Sequence, residues 1–431
     1  MSILSDLSEL VNARVISRET AMEISNYYKS RQESSPTGKN RQLLMFGILG
    51  AVLVGIGLLF IIANQWDDLS RGVKTTCAFL LLVIPQLLGL YALYKRADKP
   101  VWRESTALLL FFAVGANISL VSQIYQINGE ASSFLLTWLL LTIPLVYVMD
   151  ASAVSIACLI GVLSYRLAVD SEGTVEWGEQ ISLALFLVLM PRYISLFKKA
   201  PDSQLTILHH WAIPFVLTAG LAVLSHDHKE LLIPLYFMLF GIFIFIGELP
   251  FFRHRPQEHC GFRVFGYAGS IIVLFVLSFK SIWEKLPKHH YELGSLPGSS
   301  EFIALALFFI LLSILFYRHL QNRPLKEIRI FEIAWLLFLP VFILGYFTIF
   351  PVYLVNLSIL IMGAILIREG SMKNNLGTMN GGMILITMLL VCRSFDIDLT
   401  SLIKGILFVA VGTGFFIANW WMLKKRKEHE A

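Results

Sequence analysis

The octapeptide Tyr147-Val148-Met149-Asp150-Ala151-Ser152-Ala153-Val154 carries the choice between two folds. Apolar sequence runs on both sides of it, over 133–149 and 151–168. Read as one segment, 133–168 is a single membrane span. Read as two, Met149-Asp150-Ala151 is a tight turn between antiparallel helices. Cations discriminate, because cytoplasmic loops of membrane proteins carry an excess of Lys and Arg. With the turn and an inside N-terminus, 26 of the 35 Lys and Arg fall on inner segments and 9 on outer ones. Without the turn every later loop reverses, and the split becomes 17 inside to 18 outside. The bias survives only if the chain turns at Asp150.

The rest of the chain extends the same pattern. Further apolar segments lie at 43–63, 73–94 and 105–126 before this hairpin. After it come 178–197, 205–225, 231–250, 262–283, 301–317, 328–349, 352–367, 376–393 and 402–423. Phe350-Pro351 reads as a second tight turn. About 20 apolar residues cross a bilayer as a helix, and fewer suffice for a partly buried one. Backbone groups in lipid must be bonded within their own segment, so helices are the expected form. The expectation is an all-α, polytopic transmembrane helical bundle of about fourteen spans, with N-terminus and C-terminus cytoplasmic.

Composition agrees. Of 431 residues, 56% are apolar and only 15% are charged, too few to coat a soluble globule. That balance excludes a disordered chain, a collagen and a nucleic-acid-binding domain. The four cysteines, Cys77, Cys158, Cys260 and Cys392, form no C-x-x-C pair and read as small buried hydrophobes. Residues 1–42 read as a cytosolic helical preface and linker, 43–423 as the transmembrane domain and 424–431 as a basic cytosolic tail. Within the preface, Ser17 is placed to cap a short helix carrying Ala21 and Ile24. Residues 1–35 are the candidate site for a protein partner.

Polar side chains inside a span are costly and often functional. In the third span Ser119, Ser122, Gln123 and Gln126 follow the i, i+3, i+4, i+7 spacing of one helix face. Asn117 lies off that stripe, and Glu130 follows near the outer end. These six residues either line a path for a small polar solute or lipid headgroup, or bond neighbouring helices together. A second candidate is an outer charged cluster. Asp67, Asp68 and Arg71 follow the first span, and Arg393, Asp396, Asp398 and Lys404 sit between the last two. They read as a charged gate or as a surface ion-pair network.

Other polar residues read more plainly. Glu248 and Glu332 near inner span ends are expected to pair with loop arginines, here Arg253 or Arg329. The pairs His209-His210 and His289-His290, and His226-Asp227-His228, lack metal-site spacing and read as interface histidines. Trp66, Trp102, Trp177, Trp211, Trp283, Trp420 and Trp421 lie near span ends, as an aromatic belt does. No phosphate-binding loop is present, and no metal, cofactor or catalytic constellation is indicated.

Three stretches together resemble a known family. They are Gly55-x-Gly57 running into Phe60-Ile61-Ile62-Ala63-Asn64-Gln65-Trp66, Gly115-Ala116-Asn117 through Gln126, and Arg393-Ser394-Phe395-Asp396 with Lys404-Gly405. With the short helical preface they are similar to the predicted bacterial membrane proteins of domain-of-unknown-function family 2157. The resemblance implies a location in the bacterial cytoplasmic membrane and carries no reaction with it.

Three functions fit these observations. The span count and polar stripe suit transport or flipping of a polar or amphipathic solute, such as a lipid-linked glycan. The preface suits a non-catalytic assembly factor or sensor. A membrane-embedded transferase or polymerase would need a general base, and the 284–300 loop, with Glu284, His289, His290 and Glu292, shows no recognisable constellation.

Overall fold

The computed structural model describes residues 11, 13, 15–25, 38–64, 70–173, 177–223, 228–253, 255–286, 298–322, 330–373, 375–396 and 401–430. Among the described residues there are helices and turns and no strand. Each of the fourteen apolar segments overlaps a helix, and 262–283 is divided between Gly261–Leu277 and a short helix Lys280–Lys285. The principal helices are α1 (Gly38–Asn64), α2 (Arg71–Lys95), α3 (Pro100–Tyr125), α4 (Ala131–Val148), α5 (Ser152–Glu172), α6 (Gly178–Lys199) and α7 (Gln204–Leu221). The others are α8 (Leu232–Gly247), α9 (Gly261–Leu277), α10 (Ser300–Asn322), α11 (Ile330–Leu344), α12 (Pro351–Met372), α13 (Leu376–Asp396) and α14 (Ser401–Glu430). Nine of the described helices, α2–α6, α8, α10, α12 and α13, are long and apolar enough to cross a membrane.

Local chemistry accounts for the helix ends. Pro100 and Pro351 open α3 and α12, where the missing N–H costs nothing. Gly173, at φ 64°, closes α5 in the left-handed conformation that glycine adopts freely. Asp150 adopts the same region at φ 48°, so the turn between α4 and α5 strains a residue that has a Cβ. Ser17 caps residues 18–25, with the Thr20 N–H donating to its hydroxyl at 3.1 Å.

The chain forms two compact units, Met1–Ala212 and Ile213–Ala431, dividing within α7. In the first, α3 is the hub and packs against α1, α2, α4 and α5. Close approach to α4 depends on Gly115, where any Cβ would lie 2.5 Å from the Trp138 indole. Trp138 in turn donates its indole N–H to the Phe111 carbonyl at 2.8 Å. In the second unit, α8 packs on α9, α10 and α11, and α12 lies along α13. Its core is aromatic, with Phe237 stacked on Phe338 at 4.1 Å between ring centres. The aromatic belt does not extend to Trp283, which is fully buried and donates to the Leu277 carbonyl at 2.6 Å. A partner for the indole N–H is what permits this burial.

Candidate functional site

The polar residues of α3 divide by environment. Asn117, half-buried, donates its side-chain amide to the Ala78 carbonyl of α2 at 2.7 Å, a direct helix-to-helix bond. Ser122 donates to the Ile127 carbonyl at 2.7 Å, while the Ile127 N–H returns to the Ser122 carbonyl at 2.9 Å. With Gln126 at φ 52°, this closes the helix end. Ser119, Gln123 and Gln126 stand exposed, and so does Glu130 at the start of α4. Ser119 lies six residues before the end of α3, about 9 Å along its axis. The stripe thus combines one bonded member, Ser122, with an exposed trio, and Asn117 is bonded beside it.

The outer charged residues are placed on separate elements. Arg71 opens α2 and is exposed. Arg393 on α13 donates to the Ser278 hydroxyl at 3.2 Å and lies over the Phe279 ring. Asp396 ends α13, and half-buried Lys404 lies in the first turn of α14. Asp67, Asp68 and Asp398 lie outside the described residues, as does most of the 1–35 preface.

A third group went unrecognised in the sequence, around the turn between α4 and α5 in the first unit. Glu104, in the second turn of α3, is buried. Its two carboxylate oxygens accept the backbone N–H groups of Ser152 and Ala153, each at 2.8 Å. These are the first free donors of α5, so a residue 48 positions earlier supplies that helix with its N-terminal acceptor. Arg192 of α6, also buried, donates to the Asp150 carbonyl and to the Ser152 hydroxyl, both at 2.7 Å, and to the Asp150 carboxylate. Arg103 approaches the other oxygen of that carboxylate at 3.5 Å. Three connections assigned to one side of the membrane by the cation count therefore meet around the Asp150 turn.

One helical turn further along α5, Ser155 meets His209 of α7 at 3.2 Å, both side chains fully buried. The His209 Nδ1–H donates to the Leu205 carbonyl at 2.7 Å, which leaves Nε2 to accept the Ser155 proton when the ring is neutral. Tyr193 stacks on the imidazole at 5.7 Å. The donor and acceptor have the order of a nucleophile–base pair, but both are sealed in packed side chains, so the contact serves as an interhelical bond.

In the second unit each of the two carboxylates has a partner beyond the loop arginines that the sequence suggests. Glu248 pairs with Arg263 at 3.7 Å, and Arg263 also donates to the Gly247 carbonyl at 2.8 Å. Gly247 allows this by letting the Arg263 backbone come within about van der Waals contact of α8. Glu332, fully buried, accepts from His319 at 3.0 Å. Nearby, burial pushes the Cys260 thiol up from its ordinary range, against hydrogen bonds from the following backbone. Among the described residues no three His, Cys, Asp or Glu side chains converge as metal ligands would.

Residues 8–155 match the family described as "Predicted membrane protein (DUF2157)". The match runs from the preface through α3 and the Asp150 turn, and so includes the polar stripe, Glu104 and Ser152. No curated protein and no solved structure matches the chain.

Proposed function

We propose, starting from the match of residues 8–155 to the DUF2157 predicted membrane proteins, that this multi-pass chain moves or flips a polar or amphipathic solute across a bacterial cytoplasmic membrane. In this reading it crosses the membrane fourteen times with both termini inside. The exposed trio Ser119, Gln123 and Gln126 on α3 is the observation that carries the reading. Had these side chains served only to join helices, each would be packed and bonded, as Asn117 is. Neutral hydroxyl and amide groups suit a hydroxyl-rich solute or headgroup better than an ion. Glu130 stands at the outer end of the same path.

Single cysteines at Ser119, Gln123 and Gln126, in a background lacking the four native cysteines, test this with a membrane-impermeant thiol reagent. The reading expects labelling at all three positions and slower labelling in the presence of a glycan-bearing lipid. Failure to label at Ser119 and Gln123 removes it. Loss of cellular function on deletion of residues 1–35, with the helices still inserted and the trio unlabelled, would favour the assembly-factor reading.

A further inference from the structure

The carboxylate of Glu104 is buried, and its partners are two backbone N–H groups. The charges that face it are Arg103 on its own helix and Arg192 on α6. Both direct their guanidinium groups to Asp150, on the turn, and neither forms an ion pair with Glu104. From α5 it meets Ser152 and Ala153, and the imidazole of His209 on α7 lies beyond Ser155. A buried charge with no ion pair of its own is costly and depends on the bonds it accepts. Asp150, by contrast, has a side chain 41% exposed. It is joined through Arg192 to the Ser152 hydroxyl, on the residue whose N–H binds Glu104. A continuous polar track thus leads from exposed Asp150 to buried Glu104.

We propose that Glu104 is a proton-operated latch on the α4–α5 hairpin. As a carboxylate it holds the Ser152 and Ala153 N–H groups, one on each oxygen. A proton arriving from the inner face along the Asp150 side converts one oxygen to a hydroxyl, which donates and no longer accepts well. One backbone N–H is then released, and the negative charge at the α5 N-terminus is lost. The first turn of α5 loosens beside the Arg192 contacts. The latch is independent of the α3 stripe, so it stands whether or not that stripe carries a solute.

Hydrogen exchange of the Ser152 and Ala153 amides, in the full chain in lipid nanodiscs and corrected for the intrinsic pH dependence, tests the latch. In the wild-type chain we expect protection to fall about fivefold or more between neutral and acidic pH, the effect of a lost helix cap. E104Q should show the low protection at every pH. Wild-type protection that does not change with pH overturns the proposal, as does an E104Q variant with wild-type protection and wild-type pH dependence. Should E104Q fail to fold, infrared difference spectra of the wild type and of D150N decide the matter. A neutral-carboxyl carbonyl band growing on acidification in both supports the latch, and its absence from D150N assigns the proton to Asp150 and overturns it.

Discussion

Arg192 donates to the carbonyl oxygen of Asp150 at 2.7 Å, so α6 holds the turn that joins α4 to α5. The turn needs holding, because Asp150 sits at φ 48° without being glycine. R192A leaves the Ser152 hydroxyl and the Asp150 carbonyl without this donor and opens a buried cavity, while Arg103 still approaches the Asp150 carboxylate. The expected loss is about 1–3 kcal/mol of stability in detergent unfolding, with R192K losing less because one donor still reaches the turn. An R192A chain as stable as the wild type would show that the clamp contributes nothing.

Glycines set how closely α12 and α13 approach. A Cβ at Gly370 would lie 2.4 Å from the Met379 backbone nitrogen, which cannot yield as a side-chain tip can. G370A should cost about 1–3 kcal/mol and lower the unfolding midpoint. Gly381, on the same pair of helices, has open space at its Cβ position. G381A should be neutral or stabilise by up to about 1 kcal/mol through helix propensity. Equal effects at the two sites would contradict this packing.

The division among the polar residues of α3 has an energetic signature. N117A removes the bond to the Ala78 carbonyl and should cost about 0.6–2 kcal/mol. S119A and Q123A remove exposed groups and should stay within about 0.5 kcal/mol of the wild type. Parallel thermal-unfolding curves of the three variants check the contrast.

Thiol chemistry reports on the N-terminal end of α9. Cys260 is buried and its thiol is pushed up, so at neutral pH less of it is thiolate than in an unfolded chain. Alkylation of Cys260 should be far slower than that of a free thiol in the folded protein and should speed up as pH rises. Denaturant should restore the ordinary rate. Mass spectrometry of the alkylated peptides distinguishes Cys260 from Cys77, which is exposed.

What the sequence revealed follows from the range of the interactions. Helix positions were legible because apolar runs are local, and each of the fourteen overlaps a helix. Ser17 was legible as a cap for the same reason. The Glu104 clamp was not. Its partners lie 40 to 49 residues apart, and singly each charge resembles an ordinary one near a span end. Glu104 could have been noticed as the acid beside Arg103 at the mouth of an apolar helix, but nothing local names Ser152 as its partner. Arg263 beside Glu248 and His319 beside Glu332 were not legible, because those contacts depend on which helix ends meet in space. The exposure of Ser119 and Gln123 was likewise hidden, since spacing places residues on one face without saying what that face meets.

The account stands most directly on the turn at Asp150. A reporter active only outside the cell, fused in separate chains after Gly173, after Asp202 and after Lys427, measures it. A turn there predicts activity after Gly173 and silence after Asp202 and Lys427. Silence after Gly173 with activity after Asp202 would mean that 133–168 crosses the membrane once, and would contradict the hairpin on which the clamp and the fourteen-span topology depend.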